Sequence, residues 1–293
     1  MAGRPGARFS RAALTLAVLA ALATGAVAQR FVLVSGSRDW LNYRHASNAA
    51  SLYSAIIRRG VPERDVTLLL ADDPSSNERN AAFGEQRWGD RGAVGWRDAP
   101  RVALRGEDVD VDAVRAAVAG TAPRAGAAGR PLVVLLTGHG GDDFLKVQED
   151  EDLTGGDLAA ALDAAAAHAS QVLVFVDTCQ ASTLCAAVTA PRTLCVSSSA
   201  VGESSRALHA DASLGVHVVD EFSAALAGRI SAERRGDTLA DLVAHLAKQT
   251  RSSTVQVHNR EAFGRNLATV PLAEFFGPVG RTPRKAKPPL DGA

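Results

Sequence analysis

Cys179 and His139 carry the chemistry that this sequence can offer. Each follows a short apolar run rich in β-branched residues. Residues 131–137 lead into Gly138-His139-Gly140-Gly141, and residues 172–176 lead into Asp177-Thr178-Cys179-Gln180. Such runs read as buried parallel strands, and in open α/β sheets the chemistry collects beyond the carboxyl ends of the strands. A thiol within reach of an imidazole becomes a nucleophile, because the imidazole takes the proton and the thiolate attacks a carbonyl. The glycines flanking His139 leave room for a substrate backbone and let amide N–H groups face a site. Gly140 and the backbone N–H of Cys179 are therefore the candidate donors to an oxyanion. The competing reading of Cys179 is a buried core thiol. Its polar neighbours Asp177, Thr178 and Gln180 fit a strand-end loop better than a core. Asp177 is an anchor or a modest tuner of the site, with no step of its own.

Two further segments flank these residues. Asn42 lies in Trp40-Leu41-Asn42-Tyr43-Arg44-His45, just after the first strand. Its spacing favours a helix N-cap, with orientation of the imidazole as the alternative. The serine-rich stretch 197–205 follows a strand end and reads equally as channel lining or as an ordinary loop. The other histidines, at 45, 168, 209, 217, 245 and 258, lack a comparable setting.

The elements that must position these groups alternate along the chain. Strands are expected at 31–35, 66–70, 131–137, 172–176, 193–197 and 254–257. Helices are expected at 42–59, 109–118, 158–167, 216–226 and 239–247. Residues 75–106 are polar and glycine-rich and read as a long loop. Residues 120–129 read as a connection. Alternating strands and helices predict a parallel sheet covered on both faces.

At 293 residues the chain is long enough for one large α/β domain. Lys plus Arg and Asp plus Glu both number 32, a balance that argues against a general nucleic-acid binder. Residues 1–28 read as a secretory signal peptide, with Arg4, Arg8 and Arg11 before an Ala/Leu-rich stretch. Ala26-Val27-Ala28 then has the form of a cleavage site, and Gln29 opens the mature chain. A buried helix or an uncleaved anchor is the alternative. The secretory route permits disulfides; Cys185 and Cys195 can pair or remain thiols. After residue 30 no stretch reaches the roughly 18 apolar residues that span a bilayer. Residues 281–293 read as a disordered basic, proline-rich tail. Asp108, Asp110 and Asp112 read as helix-start acids, with a hard-cation site as the weaker option.

Five segments taken in order resemble the catalytic subunits of GPI transamidase, within the legumain-like cysteine peptidases. They are residues 37–45, Leu70-Ala71-Asp72-Asp73, Thr137-Gly138-His139-Gly140-Gly141, Phe144-Leu145-Lys146 and Asp177-Thr178-Cys179-Gln180. The resemblance extends over about residues 30–280. It implies a caspase-like three-layer α/β/α sandwich with a mostly parallel six-stranded sheet. It implies Cys179 as nucleophile, His139 as base and acid, Asn42 as completing a triad, and Ser205 as a substrate contact. It implies transfer of a precursor's carbonyl from its carboxyl-terminal signal to the amine of a GPI lipid, with a legumain-type endopeptidase as the alternative. The implied partners are the other transamidase subunits, signal-bearing precursors and the GPI lipid. The implied place is the endoplasmic reticulum lumen, held to the membrane through those subunits. No cofactor is needed for the chemistry. The family's calcium site carries over in part: its first half falls on Glu63, where an Asp is expected, and on the Val66 carbonyl. Its second half falls near Arg101 and Ala103, which offer no carboxylate. Asp110 and Asp112 stand in only if the alignment slips. The cysteine that joins a partner subunit in well-known members is matched by Ser76.

Overall fold

A computed structural model describes residues 29–81, 84–87, 93–95, 101–120, 129–232 and 234–277. The signal-peptide and tail expectations, at 1–28 and 281–293, lie outside the described residues. In chain order the principal elements are β1 (Arg30–Ser35), α1 (Tyr43–Arg58), β2 (Val66–Leu70), β3 (Val102–Arg105), α2 (Val111–Ala119) and β4 (Leu132–Thr137). There follow β5 (Phe144–Val147), β6 (Glu151–Thr154), α3 (Gly155–Ala166), β7 (Val172–Asp177), α4 (Ala181–Ala186) and β8 (Thr193–Ser197). The chain continues through β9 (Ala207–Asp211), β10 (Val216–Asp220), α5 (Glu221–Ser231), α6 (Leu239–Gln249) and β11 (Gln256–His258).

The central sheet runs β11-β8-β7-β4-β1-β2-β3. Its pairs are parallel except β11, which runs antiparallel along β8. The inner strands are buried at every position, and alternate residues feed different layers. Phe31, Leu33, Val133, Leu135, Leu173 and Phe175 join α1, α5 and α6 in one core. Val32, Val34, Val134, Leu136, Val174 and Val176 join α2, α3 and α4 in the other. The three-layer α/β/α sandwich follows from that alternation. The helices form where the sequence supplies both stripe and cap. In α1, Ala46, Ala49, Leu52, Tyr53 and Ile56 make the buried stripe. Thr154 with Asp157 in α3, and Thr238 with Asp241 in α6, form reciprocal capping boxes.

Three expectations need correction. The sheet has seven strands, not six, because Val102–Arg105 adds an edge strand with Leu69 opposite Leu104. This segment lies within the expected loop, and its half-buried edge position demands no long apolar run. Residues 85–87 and 93–95 of the same stretch pair antiparallel. The helix expected at 216–226 begins only at Glu221. Val216–Asp220 instead pairs antiparallel with Ala207–Asp211, and Val216 and Val218 pack on Trp40, Tyr43 and Leu214. Cys185 and Cys195 form a disulfide with Cα atoms 5.6 Å apart, tying α4 to β8. Among the described residues no helix is long and apolar enough to cross a membrane.

Candidate active site

The register of β4 and β7 places Thr137 opposite Asp177. His139 and Cys179 each lie two residues beyond those partners. They therefore leave neighbouring parallel strands, spaced about 4.8 Å apart, at the same height. Gly138 N–H donates to the Asp177 carbonyl at 3.4 Å, so the two loops stay joined past the last rung. On the other side of β4, Ser35 of β1 sits opposite Thr137. The order β7-β4-β1 thus delivers Cys179, His139 and the Ser37–Asn42 turn to one carboxyl edge.

Asn42 occupies the N-cap position of α1 but makes no side-chain cap bond. Its Oδ1 instead lies 2.7 Å from His139 Nε2. Its Nδ2 donates to the Arg38 carbonyl at 2.7 Å, which fixes the amide orientation and leaves Oδ1 as acceptor. His139 therefore carries its proton on Nε2, and Nδ1 keeps its lone pair. Partial burial, and then the charge of Arg44, depress the His139 pKa below 6.5, while Glu149 opposes them. A base must be neutral to accept a proton. The acid limb of kcat/KM is therefore expected below pH 6.5. Glu149→Gln removes the opposing charge and is expected to move that limb to lower pH, measurable in a pH–rate profile. Asn42→Ala removes the Nε2 acceptor. The expected loss in kcat is roughly 10- to 100-fold, the equivalent of the 1.5–3 kcal/mol of a hydrogen bond to a charged group. Steady-state kinetics with unchanged thermal midpoint checks it.

Cys179 is the free cysteine of the described chain and is half-buried. The loop around it is anchored from both sides. Gln180 takes a left-handed conformation, φ 52°; its N–H donates to the Glu203 carbonyl at 2.8 Å, and its Oε1 accepts from Gly202 N–H at 3.0 Å. Ser199 Oγ donates to the Thr178 carbonyl at 2.7 Å and accepts from Ala181 N–H at 3.0 Å. Ser198 and Ser199 are buried. The start of the serine-rich stretch is therefore a brace for the nucleophile loop rather than channel lining. On the histidine side, a methyl group at Gly140 would lie 2.4 Å from Thr178 Oγ1 and 2.6 Å from the Phe144 carbonyl. Only glycine fits between these two loops.

Beneath the edge lies a buried polar layer. Asp177 accepts from Ser205 Oγ at 2.7 Å and Ser223 Oγ at 2.6 Å. Burial pushes its carboxyl up against those hydrogen bonds. Ser205, the expected substrate contact, thus has its hydroxyl committed to Asp177. Asp220 accepts from Asn48 Nδ2 at 2.6 Å and faces Arg44 Nε at 3.1 Å. Burial, and then the charge of Asp177, push Asp220 up to about 7. Sequence reasoning missed Ser37, His45, Asn48 and Asp220. The available signal was polar Ser47, Asn48 and Ser51 within the buried face of α1.

The candidate cation ligands do not gather. Glu63 lies in the turn before β2, which Val66 opens. The Tyr53 phenol beside Glu63 is pushed up to about 12, chiefly by burial. Tyr53 Oη accepts from Arg101 N–H at 3.3 Å, so the second half of the expected site meets the first through a tyrosine, with no second carboxylate. Asp110 caps α2 through Ala113 N–H, and Asp112 pairs with Arg115 at 3.0 Å. Among the described residues no three His, Cys, Asp or Glu side chains form a metal-sized cluster. These residues do not fit the calcium site that the resemblance implies. Ser76 lies in the turn after β2, its hydroxyl donating to the Asp73 carbonyl.

The family model described as the peptidase C13 family matches residues 30–277. A putative GPI-anchor transamidase of Drosophila melanogaster is 32% identical over 264 residues, covering 86% of this chain and 74% of that protein. The GPI-anchor transamidase of Schizosaccharomyces pombe is 36% identical over 203 residues, 66% of this chain and 53% of the relative. The human GPI-anchor transamidase is 29% identical over 304 residues, 92% and 76% of the two chains. A crystal structure of a Geobacter sulfurreducens protein superposes with a TM-score of 0.51 at 13% identity, over 83% of this chain and 99% of that one. At that identity the likeness concerns the fold alone.

Proposed function

Since the chain belongs to the peptidase C13 family and is a cysteine enzyme of the GPI-anchor transamidase type, we propose that it joins the carbonyl of a precursor protein to the amine of a GPI lipid through a thioester on Cys179. The single observation that supports this reading is the pairing of β4 with β7, whose register ends the loops bearing His139 and Cys179 at one edge of the sheet, with Asn42 Oδ1 against Nε2 of the imidazole.

His139 Nδ1 takes the thiol proton, and the Cys179 sulfur attacks the carbonyl at the attachment residue. The backbone N–H groups of Gly140 and Cys179 receive the developing oxyanion. The tetrahedral intermediate collapses as His139 returns the proton to the leaving amine. The amine departs as the new amino terminus of the carboxyl-terminal signal, a segment with small residues at the attachment site, a polar spacer and an apolar tail. The carbonyl stays on sulfur. His139 then deprotonates the incoming ethanolamine amine, which attacks the thioester. An amide forms, and the Cys179 thiol is regenerated. Ser205 and Asp177 support the nucleophile loop from below. In this reading the enzyme works at the endoplasmic reticulum membrane among the other subunits of a transamidase, and no cofactor takes part.

The test supplies a signal-bearing precursor and hydrazine to the enzyme purified with its co-purifying subunits. A hydrazide at the attachment residue, rising with hydrazine concentration, is expected. Free acid alone at every concentration would make the enzyme an endopeptidase.

A further inference from the structure

We infer that Ser37 and His45, both buried, form a positioning pair that fixes the backbone and the ring of His139. The inference rests on the Cys179–His139 reading above and extends it to residues outside the triad.

Ser37 is 3% exposed and His45 2%. Ser37 Oγ lies 2.8 Å from His45 Nδ1 and accepts from the backbone N–H of His139 at 3.4 Å. His45 Nε2 faces the Asp220 carboxyl at 3.9 Å. The His45 ring stands edge-on to the His139 ring, with centroids 4.9 Å apart and planes at 88°. Burial, then the charges of Arg44 and His139, hold His45 neutral. A neutral imidazole has one N–H and one acceptor. Ser37 Oγ and Nδ1 share a hydrogen bond, and the tautomer of His45 decides which of the two donates. In either tautomer the Ser37 oxygen keeps a lone pair for the His139 N–H. The contacts run from Asp220, which His45 Nε2 faces without a hydrogen bond, through His45 and Ser37 to the histidine backbone.

Two contacts of different kinds therefore meet at His139. Ser37 holds its main chain at the point where β4 has ended. His45 supports its ring through the aromatic edge contact. Asn42 holds the remaining nitrogen. Neither Ser37 nor His45 follows from the triad alone, and loss of either leaves the ring with fewer fixed points. The charged groups around the two rings are Arg44, Asp220 and Glu149.

The experiment measures alkylation of Cys179 by iodoacetamide across pH in the assembled enzyme, read by peptide mass spectrometry. It compares the unaltered enzyme with Ser37→Ala, His45→Asn, His139→Ala and the double variant Ser37→Ala with His139→Ala. His45→Asn keeps a partner for Ser37 and removes the ring edge, and it serves if Ser37→Ala fails to fold. The prediction is a change of about 5- to 10-fold in alkylation rate near neutral pH, with a displaced pH profile, for each single variant, the scale of one lost neutral hydrogen bond. In the His139→Ala background Ser37→Ala should change the rate less than about twofold, because distinct groups acting through one residue are non-additive. An equal change in both backgrounds, or no change from either single variant, would overturn the inference. If His139→Ala itself leaves the profile of the unaltered enzyme in place, it is the Cys179–His139 reading that fails instead.

Discussion

Cys179→Ala is expected to lower kcat by ~10^4-fold or more, since removing the nucleophile of such a unit leaves only binding and oxyanion stabilisation. The thermal midpoint should hardly move. Cys179 is half-buried and outside both apolar cores, and its loop is held by backbone bonds through Gln180, Ser199 and Glu203 rather than by the thiol. Cys179→Ser should rescue little. A serine hydroxyl is much less acidic than a thiol, and the imidazole that must take its proton has its own pKa depressed by burial and Arg44. His139→Ala by itself should cost about 10^2- to 10^4-fold from lost acid–base catalysis. Combining it with Cys179→Ala should add almost nothing. The measurements are single-turnover rates on a signal-bearing precursor, alongside thermal unfolding.

Gly140→Ala is the second large effect expected, and it tests the oxyanion site. The added methyl would sit 2.4 Å from Thr178 Oγ1 and 2.6 Å from the Phe144 carbonyl. Phe144 belongs to β5, paired with Thr154 in β6, so its carbonyl cannot withdraw cheaply. The strand-end backbone at 139–141 must move instead, carrying the Gly140 N–H away from the developing charge. Loss of one such donor costs about 100- to 1000-fold in kcat. Substrate KM should change much less, because the donor acts mainly in the transition state. Adding Thr178→Ala removes the hydroxyl clash and leaves the carbonyl clash, so it should not restore the rate. Full activity in Gly140→Ala would remove this backbone from the oxyanion site.

The parts of the fold that announce themselves in sequence are those where burial is complete. The runs at 31–35, 66–70, 131–137, 172–176 and 193–197 appear as strands because a parallel strand covered on both faces has no polar positions to disguise it. Val102–Arg105 escapes notice because an edge strand is half-exposed and alternates weakly. Val216–Asp220 is mistaken for helix because β-branched residues next to an apolar helical stripe satisfy both periods over a short window. At the site, Cys179 and His139 are legible because each ends such a run. Asn42 is ambiguous by itself, since the same residue type caps helices and orients imidazoles; only the 2.7 Å contact with His139 decides between them. The layer of Ser37, His45, Asn48 and Asp220 joins distant positions, Asn48 bonding to Asp220 172 residues away. Local spacing offers only the polar positions on the buried face of α1 and not the partners they meet.

The most direct measurement of the central claim is the mass of the enzyme after an acid quench during turnover. The assembled enzyme is mixed with a signal-bearing precursor, quenched within the first turnover, and the peptide containing Cys179 is weighed. The prediction is a precursor-derived acyl group on Cys179, released by hydroxylamine and missing from Cys179→Ala. Turnover proceeding at full rate with no acyl group ever found on that peptide, or an equal yield of product from Cys179→Ala, would contradict it.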